Sequence, residues 1–223
     1  MPNPHISEQY DAELAAARNK LLEMGGLVEQ QLHDACRALI DHDEALAEKV
    51  RGNDRAINQL EVDIDEQCIH IIARRQPAAT DLRTLISIMK ASTDLERIGD
   101  EADRIARMAL GIVGMEYPRD QYDDIRQLAS LTESIVARSL NAFARLDADD
   151  AVHVIEFDER IDEGYNNVLR QRGSAMREDT AGIDRAMNVI WAARSLERIG
   201  DHAKNISEYV VYLVKGKDVR HKY

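Results

Sequence analysis

Leu95-Glu96-Arg97-Ile98-Gly99-Asp100 recurs without change as Leu196-Glu197-Arg198-Ile199-Gly200-Asp201. The match continues outward in the same register, Ala102 and Ile105 meeting Ala203 and Ile206. The chain therefore carries an internal duplication with a period of about a hundred residues, which belongs to duplicated domains, since solenoid repeats run at roughly 20 to 50 residues. Within each copy the acids, Glu96 with Asp100 and Glu197 with Asp201, are four positions apart. On a helix that spacing stacks both carboxylates on one face, about one turn from each other.

Composition agrees with a helical reading. The 223 residues include only 11 Gly and 4 Pro, aromatics make up 4%, and helix-forming Ala, Leu, Arg and Glu abound. That length is enough for each half to bury its own core. The fold class expected is all-α, with two tandem, similar three-helix bundles of long antiparallel helices. Lys and Arg number 29 against 41 Asp and Glu, a net charge of -12, which opposes binding to nucleic acid or to an anionic membrane surface. No apolar run approaches the roughly 18 residues of a membrane span, and Met1-Pro2-Asn3-Pro4-His5 does not open a signal peptide, so a cytoplasmic protein is expected. The isolated Cys36 and Cys68 read as buried, reduced thiols.

Hydrophobic spacing divides the chain into six segments. Leu14, Ala17, Leu21, Met24, Val28 and Ala35 alternate at three and four, predicting a first helix from Ser7 to about Ile40, interrupted by Gly25-Gly26. Asp41-His42-Asp43 caps a second helix from about Glu44 to Arg74, which Pro77 ends. A third, capped near Thr80, runs to about Ile112. Short joints make these helices antiparallel neighbours, giving a first bundle over 1–113. Gly114 to Asp120 reads as a linker. The second bundle, 121–216, follows with helices at about 121–146, 149–176 and 183–214, the middle one capped at or near Asp147. A basic tail, 217–223, closes the chain. Trp191 and Met187, four apart on the sixth helix, read as core.

The second and fifth helices carry acids of their own. Asp158 and Asp162 form an i, i+4 pair on the fifth, and aligning Ile57 with Ile161 places Asp54 and Asn58 at the matching positions of the second. Glu61 and Asp65 prolong that stripe, positions 54, 58, 61 and 65 falling within about 60° at 100° per residue. Packed beside Glu96 and Asp100, such a face collects the oxygen ligands that hard cations prefer. Solvated faces with ordinary ion pairs to Arg97, Arg104 and Arg198 are the competing account. Against it stands the repetition of a costly feature, since like charges at i, i+4 destabilise a helix by a few tenths of a kcal/mol. Gly99 and Gly200, in mid-helix between the acids, point to close approach of a neighbouring helix or ligand. The di-iron Glu-x-x-His pair, HExxH, Walker A, GxSxG and Rossmann glycine patterns are absent.

Met24-Gly25-Gly26-Leu27-Val28-Glu29-Gln30-Gln31-Leu32, Ile71-Ile72-Ala73-Arg74-Arg75-Gln76-Pro77, Asp81-Leu82-Arg83, the two Leu-Glu-Arg-Ile-Gly-Asp strings and Val214-Lys215-Gly216 together resemble the PhoU family of bacterial phosphate-transport regulatory proteins, over essentially the whole chain. The resemblance implies two three-helix bundles, no catalysis and a homodimer. It implies a negative regulator of the phosphate-starvation (Pho) regulon that also restrains phosphate uptake. Its partners would be the ATPase subunit of the phosphate ABC transporter and the sensor histidine kinase PhoR, with the membrane reached only through them. It also implies metal ligation, by Mg, Mn, Fe or Zn, at Asp54, Asn58, Glu96 and Asp100 and at Asp158, Asp162, Glu197 and Asp201. Asn58 departs from the family's acidic pattern; its amide oxygen can still ligate, with one negative charge fewer. A metal-dependent hydrolase or oxidase, and a purely structural bundle, are the alternatives from other classes.

Overall fold

The computed structural model describes residues 8–115, 122–217 and 219, with 53 and 54 described by backbone alone. Six helices follow one another: α1 (Glu8–Asp41), α2 (Glu44–Arg75), α3 (Ala79–Leu110), α4 (Asp123–Arg145), α5 (Ala148–Glu178) and α6 (Ile183–Lys215), with no strand among the described residues. The longest, at 34 residues, spans about 50 Å at roughly 1.5 Å per residue. Each boundary falls within three residues of the position expected from hydrophobic spacing. The expected linker lies mostly, and the basic tail largely, outside the described residues.

The duplication reaches the joints. His42 and Leu146 both adopt left-handed backbone, at φ 57 and 53, and each is followed by an aspartate that opens the next helix. Asp43 Oδ1 accepts from the Leu46 amide at 2.9 Å; Asp147 Oδ1 accepts from the Asp149 and Asp150 amides at 3.2 and 3.0 Å. Left-handed backbone costs a non-glycine residue about 1–2 kcal/mol, and capping of about 1 kcal/mol offsets much of it. The third helix departs from expectation. It starts at Ala79 after Ala78, with no side-chain cap, and Thr80 Oγ1 accepts from Arg83 instead. Pro77 accounts for the break on the other side, with Gln76 turning left-handed at φ 47 to end α2.

Inside each bundle the helices pack all against all, α1 with α2 and α3, and α4 with α5 and α6. Leu21, Met24, Leu32 and Leu39 of α1 meet Ile57, Ile64 and Ile71 of α2 and Leu85, Leu95 and Ile98 of α3, all essentially without solvent exposure. Beneath α4, Arg172 and Asp124 form a buried pair, the guanidinium donating to both carboxylate oxygens at 2.5 and 3.3 Å. The bundles lie side by side. α3 packs lengthwise on α6, and α1 touches α4. Gly25 is what that second contact requires, since a Cβ there would come within 2.7 Å of Leu140 Cδ2; Gly26 faces open space. Both cysteines are buried and free, and burial pushes the Cys68 thiol up to about 12.

One expectation fails. Trp191 and Met187 are 57% and 38% exposed. Their side of α6 faces outward, because Val189, Ala192, Ala193 and Leu196 take the buried positions on this stretch of the helix. Four-residue spacing alone cannot tell the core side of a helix from the opposite one.

Candidate metal-binding faces

Gly99 and Gly200 set the geometry of the two acidic faces. A Cβ on Gly99 would lie 3.3 Å from Ile57 Cδ1, and one on Gly200 would lie 3.0 Å from Ile161 Cδ1. The same Ile-on-Gly contact thus locks α2 against α3 and α5 against α6. It fixes the register in which positions 54 and 58 stand to Glu96 and Asp100 as Asp158 and Asp162 stand to Glu197 and Asp201.

In the second bundle the four acids share one field. Asp158 is buried, with Oδ1 3.1 Å from the place a Gly200 Cβ would occupy, so glycine gives this carboxylate its seat. Its Oδ2 accepts from Lys204 Nζ at 3.0 Å. Loss of surrounding water, followed by the negative charges of Asp158 and Asp201, raises the Asp162 pKa. Partial burial and then Asp158 raise Asp201; burial, Asp201 and Asp162 raise Glu197 against the pull of Arg194. Burial tends to lower the Lys204 pKa, but its bond to Asp158 and the surrounding acids carry it upward. Arg194 donates to Glu197 Oε1, while Glu197 Oε2 is buried with no hydrogen-bond partner.

The first bundle repeats the arrangement more weakly. Arg97 lies 3.4 Å from both Glu96 Oε2 and Asp100 Oδ2, a single guanidinium serving the pair. Asn58 is half-buried one position beyond the Ile57 contact. The Asp54 side chain lies outside the described residues. Asp65, at the far end of the stripe, lines a cavity together with Asp94, Arg97 and His202, and burial raises its pKa. Arg104 and Arg198 do not serve the repeated acids; both reach Glu101 Oε1, at 2.7 and 2.8 Å.

Among the described residues no group of three or more His, Cys, Asp or Glu side chains is already drawn together as a metal cage. Built-in cations hold the acids instead: Lys204 on Asp158, Arg194 on Glu197 and Arg97 on Glu96 and Asp100. Hydrophobic spacing has no means of revealing Lys204 in this role, because its partner lies on another helix. The donor set is nonetheless one that hard cations take, all carboxylate or amide oxygen with an orphaned Oε2 at Glu197.

Six long helices in two bundles of one register, each with acids gathered about a mid-helix glycine, define a duplicated helical protein whose acidic faces are paired with its own Lys and Arg side chains. The PhoU domain model matches it twice, over residues 21–109 and 125–210. The chain belongs to the PhoU family. It is 54% identical over 218 residues to the phosphate-specific transport system accessory protein PhoU homolog of Pseudomonas aeruginosa, covering 97% of this chain and 90% of that one. Against the PhoU of Escherichia coli K12 the identity is 43% over 219 residues, covering 98% and 90%. The crystal structure of PhoU from Pseudomonas aeruginosa superposes with a TM-score of 0.90 at 52% identity, covering 93% of this chain and all (100%) of that one. The phosphate transport system regulatory protein PhoU from Streptococcus pneumoniae gives 0.87 at 32% identity, covering 94% and 99%.

Proposed function

We propose that this chain is an accessory protein of a phosphate-specific transport system, and within that role a negative regulator of phosphate-starvation genes that restrains phosphate uptake. It acts by contact rather than by catalysis, as a cytoplasmic homodimer that meets the ATPase subunit of the phosphate ABC transporter and the sensor histidine kinase PhoR. The observation that carries this reading is family membership in both bundles, with relatives at 54% and 43% identity that are named for that transport system. That no described helix is long and apolar enough to cross a membrane agrees with a membrane reached through partners.

The acidic faces supply the metal part of the proposal. Asp158, Asp162, Glu197 and Asp201 would hold a divalent or trivalent cation, Mg, Mn, Fe or Zn, in the second bundle; Asp54, Asn58, Glu96 and Asp100 would do so in the first. A bound cation supplies the positive charge that the crowded carboxylates lack. Such a cation would take the place that Lys204 now holds on Asp158 and Arg194 on Glu197.

The test is a phosphate-starvation reporter read in high phosphate, in a strain lacking this gene and complemented with wild type or with Glu96→Ala, Asp100→Ala, Glu197→Ala, Asp201→Ala combined. None of the four is a fully buried core residue, and the variant's melting curve is read beside the reporter so that loss of repression counts only in folded protein. The reporter is expected on without the gene, off with wild type and on with the variant. A reporter off in the deletion strain would overturn the regulatory role; a variant that still represses would overturn the metal-dependent part alone.

A further inference from the structure

The contact between α3 and α6 is antiparallel, Glu101 meeting Arg198 and Asp94 meeting Asn205, so the internal duplication relates its two ends to each other. Each end holds a cavity, of about 590 and 520 Å³, within the range of small-molecule sites. Their chemistry has diverged. In the first, Asp94 takes Tyr209 Oη at 2.8 Å and Asn205 Nδ2 at 3.1 Å, with His202 Nδ1 2.7 Å away, so the centre of this cavity is a carboxylate network, with Asp65, Lys90 and Arg97 also in its lining. In the second, Arg194, Arg104 and Arg107 stand at the repeat positions of Thr93, Asn205 and Glu208, and Trp191 stands at that of Lys90. Arg198, which lines both cavities, completes four guanidinium groups around the second, in a chain whose net charge is -12.

We propose that this second cavity binds a nucleoside phosphate. Each guanidinium has five N–H donors, and the four arginine side chains, 41–49% exposed, are held in place by Glu101, Asp103 and Glu197 with donors to spare. Fork-shaped guanidinium groups match phosphate oxygens in pairs. Trp191, 57% exposed at the same cavity, presents an indole face on which a base stacks, an interaction of about 1–3 kcal/mol per base. On the cavity wall Glu101 is 2% exposed; its Oε1 accepts from Arg104 and Arg198, and its Oε2 has no hydrogen-bond partner. Free phosphate matches the arginines but leaves the exposed Trp191 unused, so the ring belongs to the ligand.

Trp191 is the only tryptophan, which makes its fluorescence a direct report on the site. The full-length protein, in chelator so that the acidic faces stay metal-free, is titrated with ATP, AMP, adenosine and inorganic phosphate, and binding is repeated by calorimetry. ATP is expected to quench saturably in the micromolar range, with adenosine and inorganic phosphate each weaker by about tenfold or more. Arg104→Ala with Arg107→Ala, and separately Arg107→Ala, are expected to weaken ATP in protein that remains folded at the assay temperature; Trp191→Ala is expected to weaken it by calorimetry. Absence of saturable quenching and heat up to millimolar ATP overturns the proposal, as does unchanged affinity in the folded double variant. Inorganic phosphate displacing ATP at equal concentration overturns it too, by reducing the cavity to a simple anion site.

Discussion

At the scale of single residues, the acidic faces are an electrostatic compromise that sequence spacing only half reveals. Four carboxylates in the second bundle are legible as two i, i+4 pairs, but their repulsion is tempered by Lys204 and Arg194, which reach them from other turns. Asp162 shows the residual cost. Its raised pKa means that it favours the folded state while protonated, below the ordinary carboxylate range near 4, and that this contribution is lost as pH rises through the higher folded value. At neutral pH the ionised group is therefore a burden. Asp162→Asn, which installs the amide that Asn58 already provides at the matching position of the first bundle, is expected to raise the stability of the metal-free protein at pH 7 by a few tenths of a kcal/mol, the scale of one like-charge pair. Melting curves in chelator at pH 7 and near pH 3.5 check this: the gain shrinks toward the acid end. A variant less stable at pH 7, or a gain independent of pH, would show that Asp162 is held by something other than this repulsion.

At the scale of the helix, six elements were legible because apolar residues recur at three and four over about thirty residues, a signal that short elements lack. Which side of a helix meets which neighbour was not legible. Trp191 and Met187 have the spacing of a core pair and lie outside, since pattern gives periodicity but the neighbouring helix decides phase. Gly25-Gly26 shows the same limit, with two adjacent glycines that look alike in sequence and stand in opposite surroundings. Gly26→Ala, in open space within α1, is expected to add about 1 kcal/mol through helix propensity. Gly25→Ala puts its methyl 2.7 Å from Leu140 Cδ2, so Leu140 must change rotamer or α1 must move off α4, and overpacking of that kind costs about 1–3 kcal/mol. Urea unfolding of the two variants side by side separates the effects: Gly26→Ala more stable than wild type, Gly25→Ala less stable than Gly26→Ala by at least 1 kcal/mol or so. Equal gains would mean that α1 and α4 do not approach each other in solution as they do here.

At the scale of the whole molecule, the question is whether two bundles of one ancestry act as one body. The duplicated string made the bundles legible, but not the contact between α3 and α6, which depends on positions where the copies differ. Asp94 is one of them, its counterpart in the second copy being Ser195. Only 7% exposed, it accepts from Asn205 and Tyr209 of the other bundle and faces His202. Removing the carboxylate takes the shared acceptor away from three half-buried groups, at about 1 kcal/mol for each hydrogen bond lost, whereas the apolar contacts of each bundle's interior remain untouched. Asp94→Ala should therefore loosen the junction more than either core. Calorimetry is expected to show one cooperative transition in wild type and, in the variant, a lower and broader melt that resolves into two, because each bundle keeps a core of its own. Truncation at Asp94 that lowers the melting temperature while preserving a single sharp transition would instead mean that apolar packing along α3 and α6 binds the bundles into one folding unit. The buried aspartate would then be fixing only the register between them.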